Sequence, residues 1–244
     1  MKLTVIGCWG GYPAANGATS SYLLQSGDFR LLIDIGSGVL SKLQKYTDIE
    51  QIDAVILSHY HHDHVADIGV FQYAKLIDFY VNGNDRVVPI YGHTADEEGF
   101  AKLTHTYSKG IEYNPENKLM IGPFEINFIQ TYHPVPCYGM RITDGKESIV
   151  YTADSGFMKE WTEFADRCDL FITDCNYFAG QDGSKPGHMN SEQVGMIARD
   201  AHVNKLLLSH LPQFGNLQQL KKEAERFYQG PIEIAREGWT WSGN

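Results

Sequence analysis

The sequence predicts an α+β protein with two sheets and helices outside them, and three observations predict it. Antiparallel hairpin signals lead the chain, strand and helix signals then alternate, and short polar loops follow the strands. Pattern alone leaves a single doubly wound sheet as the competing arrangement. The 244 residues show no low-complexity linker, charge block or internal repeat, so 1–244 is expected to form one domain.

The elements follow in order. Leu3-Thr4-Val5-Ile6 reads as the first strand, and strands over 21–24 and 29–33 flank a Gly27-Asp28 hairpin turn. Further strand signals lie over 54–57, 87–91, 124–131, 138–142, 148–152, 170–173, 206–209 and 232–235. Helical periodicity appears between them over 38–45, 68–79, 96–105, 191–201 and 217–228. Asn190 and Gln193 form a capping-box pattern, and Gly230-Pro231 closes the last helix.

Composition narrows the function classes. With 43% hydrophobic residues, 24 Gly and only 4 Cys, the chain is neither disordered nor a disulfide scaffold. A chain this long buries about 70–75% of its unfolded surface, so it folds without a metal, and a metal site would serve function. The 20 Lys+Arg against 30 Asp+Glu give a net charge of −10, which argues against a dedicated nucleic-acid binder. No secretory leader pattern and no run of about 18 apolar residues appears. Cys8, Cys137, Cys168 and Cys175 form no CxxC pair, and a cytoplasmic location with reduced thiols is the expectation.

The chemistry concentrates in Ser58-His59-Tyr60-His61-His62-Asp63-His64, directly after the buried strand Ala54-Val55-Ile56-Leu57. Imidazoles packed this closely crowd one another and need polar partners, which a metal supplies. In an extended segment His59 and His61 point to one side and can share an ion, while Asp63 and His64, at the turn into a helix, reach a second. Three later residues stand at strand ends as candidate ligands: His133, Asp154 and His210. Tyr60 and His62 are read as facing away from the metals, and His93, His105 and His202 as having no ligand context.

An HxHxDH segment after a strand, then a lone His, an Asp in Thr-Ala-Asp-Ser and a His after an apolar strand together resemble the metallo-β-lactamase-fold hydrolase superfamily. The resemblance implies a four-layer αββα sandwich with two divalent metals in a cleft between its sheets. By position it implies that His59, His61 and His133 hold one ion, that Asp63, His64 and His210 hold the other, and that Asp154 bridges them. Asp34 matches the family's early strand-end aspartate, which supports ligands without binding metal. Zinc suits the nitrogen and oxygen donors best, and ligand type alone does not separate it from manganese or iron. Two such ions share a hydroxide of pKa about 7, a nucleophile for hydrolysis at neutral pH.

Within the superfamily the chain resembles the ribonuclease Z-like phosphodiesterase branch. Flavodiiron proteins carry a glutamate where His61 stands, and glyoxalase-like thioesterases a glycine where this chain reads Val65-Ala66-Asp67. Gly187-His188-Met189-Asn190-Ser191 resembles the branch's GHST-type segment, and Asp174 takes the place of a glutamate in its His-Glu-Ala-Thr segment. The resemblance makes His188 the donor of a proton to the leaving group, held in its tautomer by Asp174. Asp63, His188 and Asp174 are the candidate catalytic residues, Asp63 being also a ligand.

Only 21 residues separate His133 from Asp154, which leaves no room for the tRNA-gripping arm of ribonuclease Z. A small anionic phosphodiester, of the cyclic nucleotide or cyclic sugar phosphate type, is therefore the expected substrate. The other readings are a lactone, thioester or sulfate-ester hydrolase and a non-catalytic metal-binding protein. The loop over 10–21 lacks a P-loop ending and reads as a structural turn. A homodimer is expected from the habit of this branch.

Overall fold

Strands that alternate hairpins with helical crossovers build two seven-stranded sheets in this chain, and a computed structural model describes residues 1–243. The chain divides into two units, Met1–Asn114 with Arg236–Ser242, and Pro115–Ala235.

The first unit holds β1 (Lys2–Gly7), β2 (Ser21–Ser26), β3 (Phe29–Ile33), β4 (Ala54–Ile56), β5 (Val88–Gly92) and β6 (Ser108–Glu112). Its helices are α1 (Val39–Leu43), α2 (His62–Val65), α3 (Ile68–Asn82) and α4 (Glu97–Ala101). The sheet order is β14-β1-β2-β3-β4-β5-β6, with β14 (Thr240–Ser242) returning from the chain's end. Pairings from β14 to β3 are antiparallel, with the two-residue Gly27-Asp28 turn joining β2 to β3 and a longer loop joining β1 to β2, and those from β3 to β6 are parallel. The core joins Leu23, Leu32, Val55 and Ile90 of the strands to Val39 and Leu43 of α1 and Phe71 of α3. Each such side chain contributes about 1.5–3 kcal/mol on burial, so α1 and α3 are held by the sheet more than by their own propensity.

The second unit repeats that plan. It contains β7 (Leu119–Ile121), β8 (Phe124–Gln130), β9 (Tyr138–Thr143), β10 (Ser148–Tyr151), β11 (Leu170–Asp174), β12 (Leu206–Ser209) and β13 (Ile232–Ile234). These lie in the order β13-β12-β11-β10-β9-β8-β7, antiparallel from β7 to β10 and parallel from β10 to β13. Helices α5 (Glu160–Phe164), α6 (Ser191–Asp200) and α7 (Leu217–Ala224) accompany it. The expected capping box forms at α6: the Asn190 side chain accepts from the Gln193 amide, and Gln193 reaches back to the Asn190 amide. Trp161 of α5 is fully buried and donates its indole N–H to Ser155 Oγ, 3.1 Å away.

Both sheets thus change from antiparallel to parallel pairing partway across. In open sheets with parallel strands, ligands gather outside the strands' carboxyl ends. Asp34 and the His59 segment follow β3 and β4; Asp154, Asp174 and His210 stand at the ends of β10, β11 and β12.

The structure adds elements that the pattern does not reveal: β6, β7, β14, α2 and α5. Helices expected over 38–45, 96–105 and 217–228 are shorter, at Val39–Leu43, Glu97–Ala101 and Leu217–Ala224. Among the described residues no helix is long and apolar enough to cross a membrane.

Candidate metal centre

In the first unit Asp34 organises the histidine segment. Its buried carboxylate accepts hydrogen bonds from the Ser58 amide and Ser58 Oγ, both at 2.8 Å, and lies 2.8 Å from His64 Nδ1. A carboxylate there accepts, so His64 Nδ1 carries the hydrogen and its lone pair sits on Nε2. Ser58 Oγ, having donated to Asp34, accepts from His59 Nδ1 at 3.0 Å, which sets His59 in the same tautomer. The chain is fastened around these contacts, with the Asp34 amide bonded to the Ile56 carbonyl and the Ile35 amide to the His64 carbonyl.

The donor side chains therefore converge. The His59 ring lies 4.8 Å from that of His61 and 4.2 Å from that of His64, and His64 Nε2 is 3.6 Å from Asp63 Oδ2. Asp63 also accepts from the Gly11 amide at 2.7 Å, so the loop expected to be structural holds a candidate ligand. Gly36 allows the close approach: a Cβ there would fall 2.0 Å from the Asp63 carbonyl oxygen. His62 is exposed, and half-buried Tyr60 donates its hydroxyl to the His93 carbonyl at 2.7 Å, so both lie apart from the ligand cluster. His105 and His202 are exposed and His93 is buried.

In the second unit Asp154 and Asp174 tie three imidazoles together. Asp154 Oδ1 is 3.2 Å from His210 Nε2 and its Oδ2 is 3.9 Å from His133 Nε2. His133 Nδ1 lies 3.2 Å from the Gly187 carbonyl, an acceptor, which directs Nε2 toward Asp154. Asp174 Oδ2 is 2.6 Å from His188 Nδ1, and its Oδ1 is 3.5 Å from His210 Nδ1. The rings of His188 and His210 stack with centroids 5.1 Å apart. Asp154, Asp174, His188 and His210 bring one ligand atom each to within 4.8 Å of one another.

Burial opposes charge on both partners of the His188 and Asp174 pair, and the pairing overrides it. For Asp174, burial pushes the carboxyl up, and the neighbouring His188 and His210 hold it below the usual carboxylate range. For His188, burial pushes the imidazolium down, and the charge and hydrogen bond of Asp174 raise it above the ordinary histidine value. Asp174 is itself fixed, its carboxylate accepting from the Ser155 amide and its own amide donating to Thr152 Oγ1.

The backbone at these positions is unusual. Asp34, Ala153 and His210 have φ of 54°, 51° and 48°, the left-handed region that L-residues adopt at a cost of about 1–2 kcal/mol each. Each stands just past the end of a strand, where the left-handed turn re-aims the following chain.

The donor set suits a metal. Imidazoles with Nδ1 bound to a carboxylate, hydroxyl or carbonyl and Nε2 turned to another donor are the usual arrangement of histidine ligands. The cysteines do not compete: all four are buried thiols outside any disulfide, and burial pushes those of Cys8 and Cys168 up to about 12. Sequence reasoning missed the roles of Gly11, Gly187 and Ser58. Two carried a signal: Ser58 as the hydroxyl that opens the histidine segment, and Gly187 as the glycine that opens the GHST-like segment.

The profile of the family described as Beta-lactamase superfamily domain matches residues 29–211. The chain belongs to the beta-lactamase superfamily. A protein of Bacillus subtilis (strain 168) named probable metallo-hydrolase YhfI is 54% identical over 244 residues, the whole of both chains. The crystal structure of the metallo-beta-lactamase fold protein YhfI from Bacillus subtilis matches with a TM-score of 0.98 at 53% identity, over 99% of each chain. Ribonuclease Z of Methanopyrus kandleri is 23% identical over 277 residues, covering 98% of this chain and 96% of that protein. The chain accordingly has the α+β metallo-β-lactamase fold and is a metal-dependent hydrolase, with relatives consistent with the ribonuclease Z-like branch of the superfamily.

Proposed function

We propose that this metallo-hydrolase cleaves small phosphodiesters, and that two divalent ions, zinc foremost, are its cofactors. In this reading His59, His61, Asp63 and His64 of the first unit and His133, Asp154 and His210 of the second all serve as ligands. Bound there, the ions supply charge neutralisation at the phosphoryl oxygens and lower the pKa of the attacking water to about 7.

The observation that carries the phosphodiester reading is the 2.6 Å contact between His188 and Asp174. Hydrolysis of a phosphodiester breaks a P–O bond and expels an alkoxide, a poor leaving group that needs a proton. Asp174 fixes the His188 tautomer by holding Nδ1, so Nε2 is the atom that delivers the proton, and the raised pKa keeps that proton available near neutral pH. Thioester cleavage expels a thiolate, which needs no such donor.

A small substrate fits the rest of the chain. The interval between His133 and Asp154 is filled by β9 and β10, which pair as a hairpin and leave no projecting arm. A protein of net charge −10 gathers no polyanion over long range, so a small anion is drawn by the metals and not by the surface. Four reduced cysteines agree with a cytoplasmic setting.

The test is a screen of purified, metal-loaded protein against cyclic nucleotides, bis(p-nitrophenyl) phosphate, lactones and thioesters, with Asp154→Ala as the metal-dependent control. Phosphodiester turnover that vanishes in the control supports the reading. A kcat/KM for lactones or thioesters above that for every phosphodiester overturns it.

A further inference from the structure

His188 stands on a segment outside every helix and strand. After β11 the chain loops out at Tyr177 and returns to its own base at Asn190, where the Tyr177 amide donates to the Met189 carbonyl at 3.2 Å and the Ser191 amide to the Tyr177 carbonyl at 3.0 Å. The loop is also bonded within itself, the His188 amide reaching the Gly183 carbonyl at 2.9 Å. Compact loops closed at the neck in this way often carry function. Asp174 belongs to β11, so its 2.6 Å contact with His188 Nδ1 spans loop and sheet. That contact keeps its alignment only while the neck is fixed to the body of the unit.

Glu223 of α7 supplies the fastening. It is 4% exposed, and its Oε2 accepts from the Ala179 amide at 2.8 Å and from Ser191 Oγ at 2.5 Å, one donor on each stem of the loop. Its Oε1 accepts from Gln219 Nε2 at 2.6 Å. Burial pushes the carboxyl up, and the hydrogen bonds from Ser191, Ala179 and Gln219 hold it below its ordinary value. The group is therefore an anion at neutral pH, and its bonds are of the stronger, charge-assisted kind. α7 comes this close because α6 carries Gly195: a Cβ there would fall 2.7 Å from the Ala224 carbonyl oxygen. Glycine is a poor helix former, and here it lets the two helices meet where the Glu223 bonds are made.

We propose that Glu223 is a positioning residue for the proton donor: it clasps both stems of the His188 loop and so holds His188 against Asp174. The assignment rests on the reading of His188 as the leaving-group acid. An apolar side chain of similar size would cover the loop without setting where its stems meet, whereas one oxygen shared by two donors fixes their separation. A displacement of about 1 Å in a catalytic group costs on the order of 100-fold in rate, so the position of the neck bears directly on turnover.

Amide hydrogen exchange and turnover, both on the full-length, metal-loaded protein, test this. Glu223→Ala is expected to speed exchange over 177–191 by about tenfold or more and to leave β10, β11 and β12 protected, which shows that the fold survives. Its kcat on cyclic AMP, which expels a ribose alkoxide, is expected to fall by about 10–100-fold with KM little changed. Bis(p-nitrophenyl) phosphate, whose leaving group departs without a proton, should be spared. Ser191→Ala removes one of the two bonds and should show the same pattern at smaller size. Glu223→Gln, whose amide oxygen can accept from both stems once the Gln219 amide turns over, should bring exchange and kcat back toward wild type. His188→Ala, measured beside them, should separate the two esters in the same way. Unchanged exchange over 177–191 in Glu223→Ala overturns the proposal, and so does an equal loss on both esters where His188→Ala tells them apart. If His188→Ala does not tell them apart, the reading of His188 as the acid is what fails, and the role of Glu223 falls with it.

Discussion

Asp34 holds His64 by its Nδ1 at 2.8 Å while the same carboxylate bonds the Ser58 amide and hydroxyl. One buried group thereby sets the imidazole tautomers of both His64 and His59. Asp34→Asn is expected to keep the fold, since asparagine also tolerates a left-handed backbone, and to weaken metal binding by about 10–100-fold. Competition with a chromogenic chelator reads the affinity, and zinc retention equal to wild type would remove Asp34 from this role.

Asp154 and His188 are expected to separate cleanly. Asp154→Ala should lose at least one ion by metal analysis and all hydrolysis. His188→Ala should retain its metals and lose turnover by about 10²–10⁴-fold, the range for a general acid. The loss should be smaller for a substrate whose leaving group is p-nitrophenolate, which departs without a proton. Equal losses on activated and unactivated esters would deny His188 a proton-donating role.

Asp78 carries a pH signature distant from the ligands. Burial pushes its carboxyl up, and hydrogen bonds from Asn82, Asn84 and Lys75 hold it below the ordinary value of 3.8. A carboxylate depressed on folding contributes stability that is present above its unfolded pKa and lost as pH falls through the folded one. Asp78→Ala should therefore destabilise the protein at neutral pH, by about 3 kcal/mol because Lys75 is left buried and unpaired. The deficit should shrink as the pH falls below about 4, since wild type then loses its own carboxylate charge. Urea denaturation at several pH values checks both statements.

Gly187 connects two candidate groups. Its φ is +79°, its carbonyl accepts from His133 Nδ1, and a Cβ there would lie 2.9 Å from both His133 Cα and Nδ1. Gly187→Ala must move His133, His188 or both. Metal affinity and kcat are expected to fall together, each by about tenfold or more given a strain of about 1–2 kcal/mol. A variant with wild-type zinc affinity and turnover would contradict this geometry.

Legibility in the sequence followed packing. Strands such as β4 and β12 read clearly because Ala54-Val55-Ile56 and Leu206-Leu207-Leu208 are apolar on both faces, as buried parallel strands are. The edge strands did not. β6 reads Ser-Lys-Gly-Ile-Glu, with only Ser108 fully buried, and β7 and β14 are three residues each at sheet edges, so no burial pattern marks them. α2 escaped detection because its four residues, His62 to Val65, include two candidate ligands and carry no helical periodicity. The candidate site was legible because ligands are side chains and stand in a recognisable order. Its backbone partners were not: the Gly11 amide on Asp63 and the Gly187 carbonyl on His133 belong to residues whose side chains say nothing.

The left-handed residues Asp34, Ala153 and His210 have a further meaning for how the protein handles its ions. The buried sheets anchor these turns, the Asp34 amide for example bonding the Ile56 carbonyl, so the fold itself holds the candidate donors in place. An ion bound there would add to a stability that the sheets already supply. On the proposed function the ions would be replaceable parts: a chelator should switch hydrolysis off without melting the chain, and zinc, manganese or iron should be exchangeable in a protein that never unfolds between one and the next.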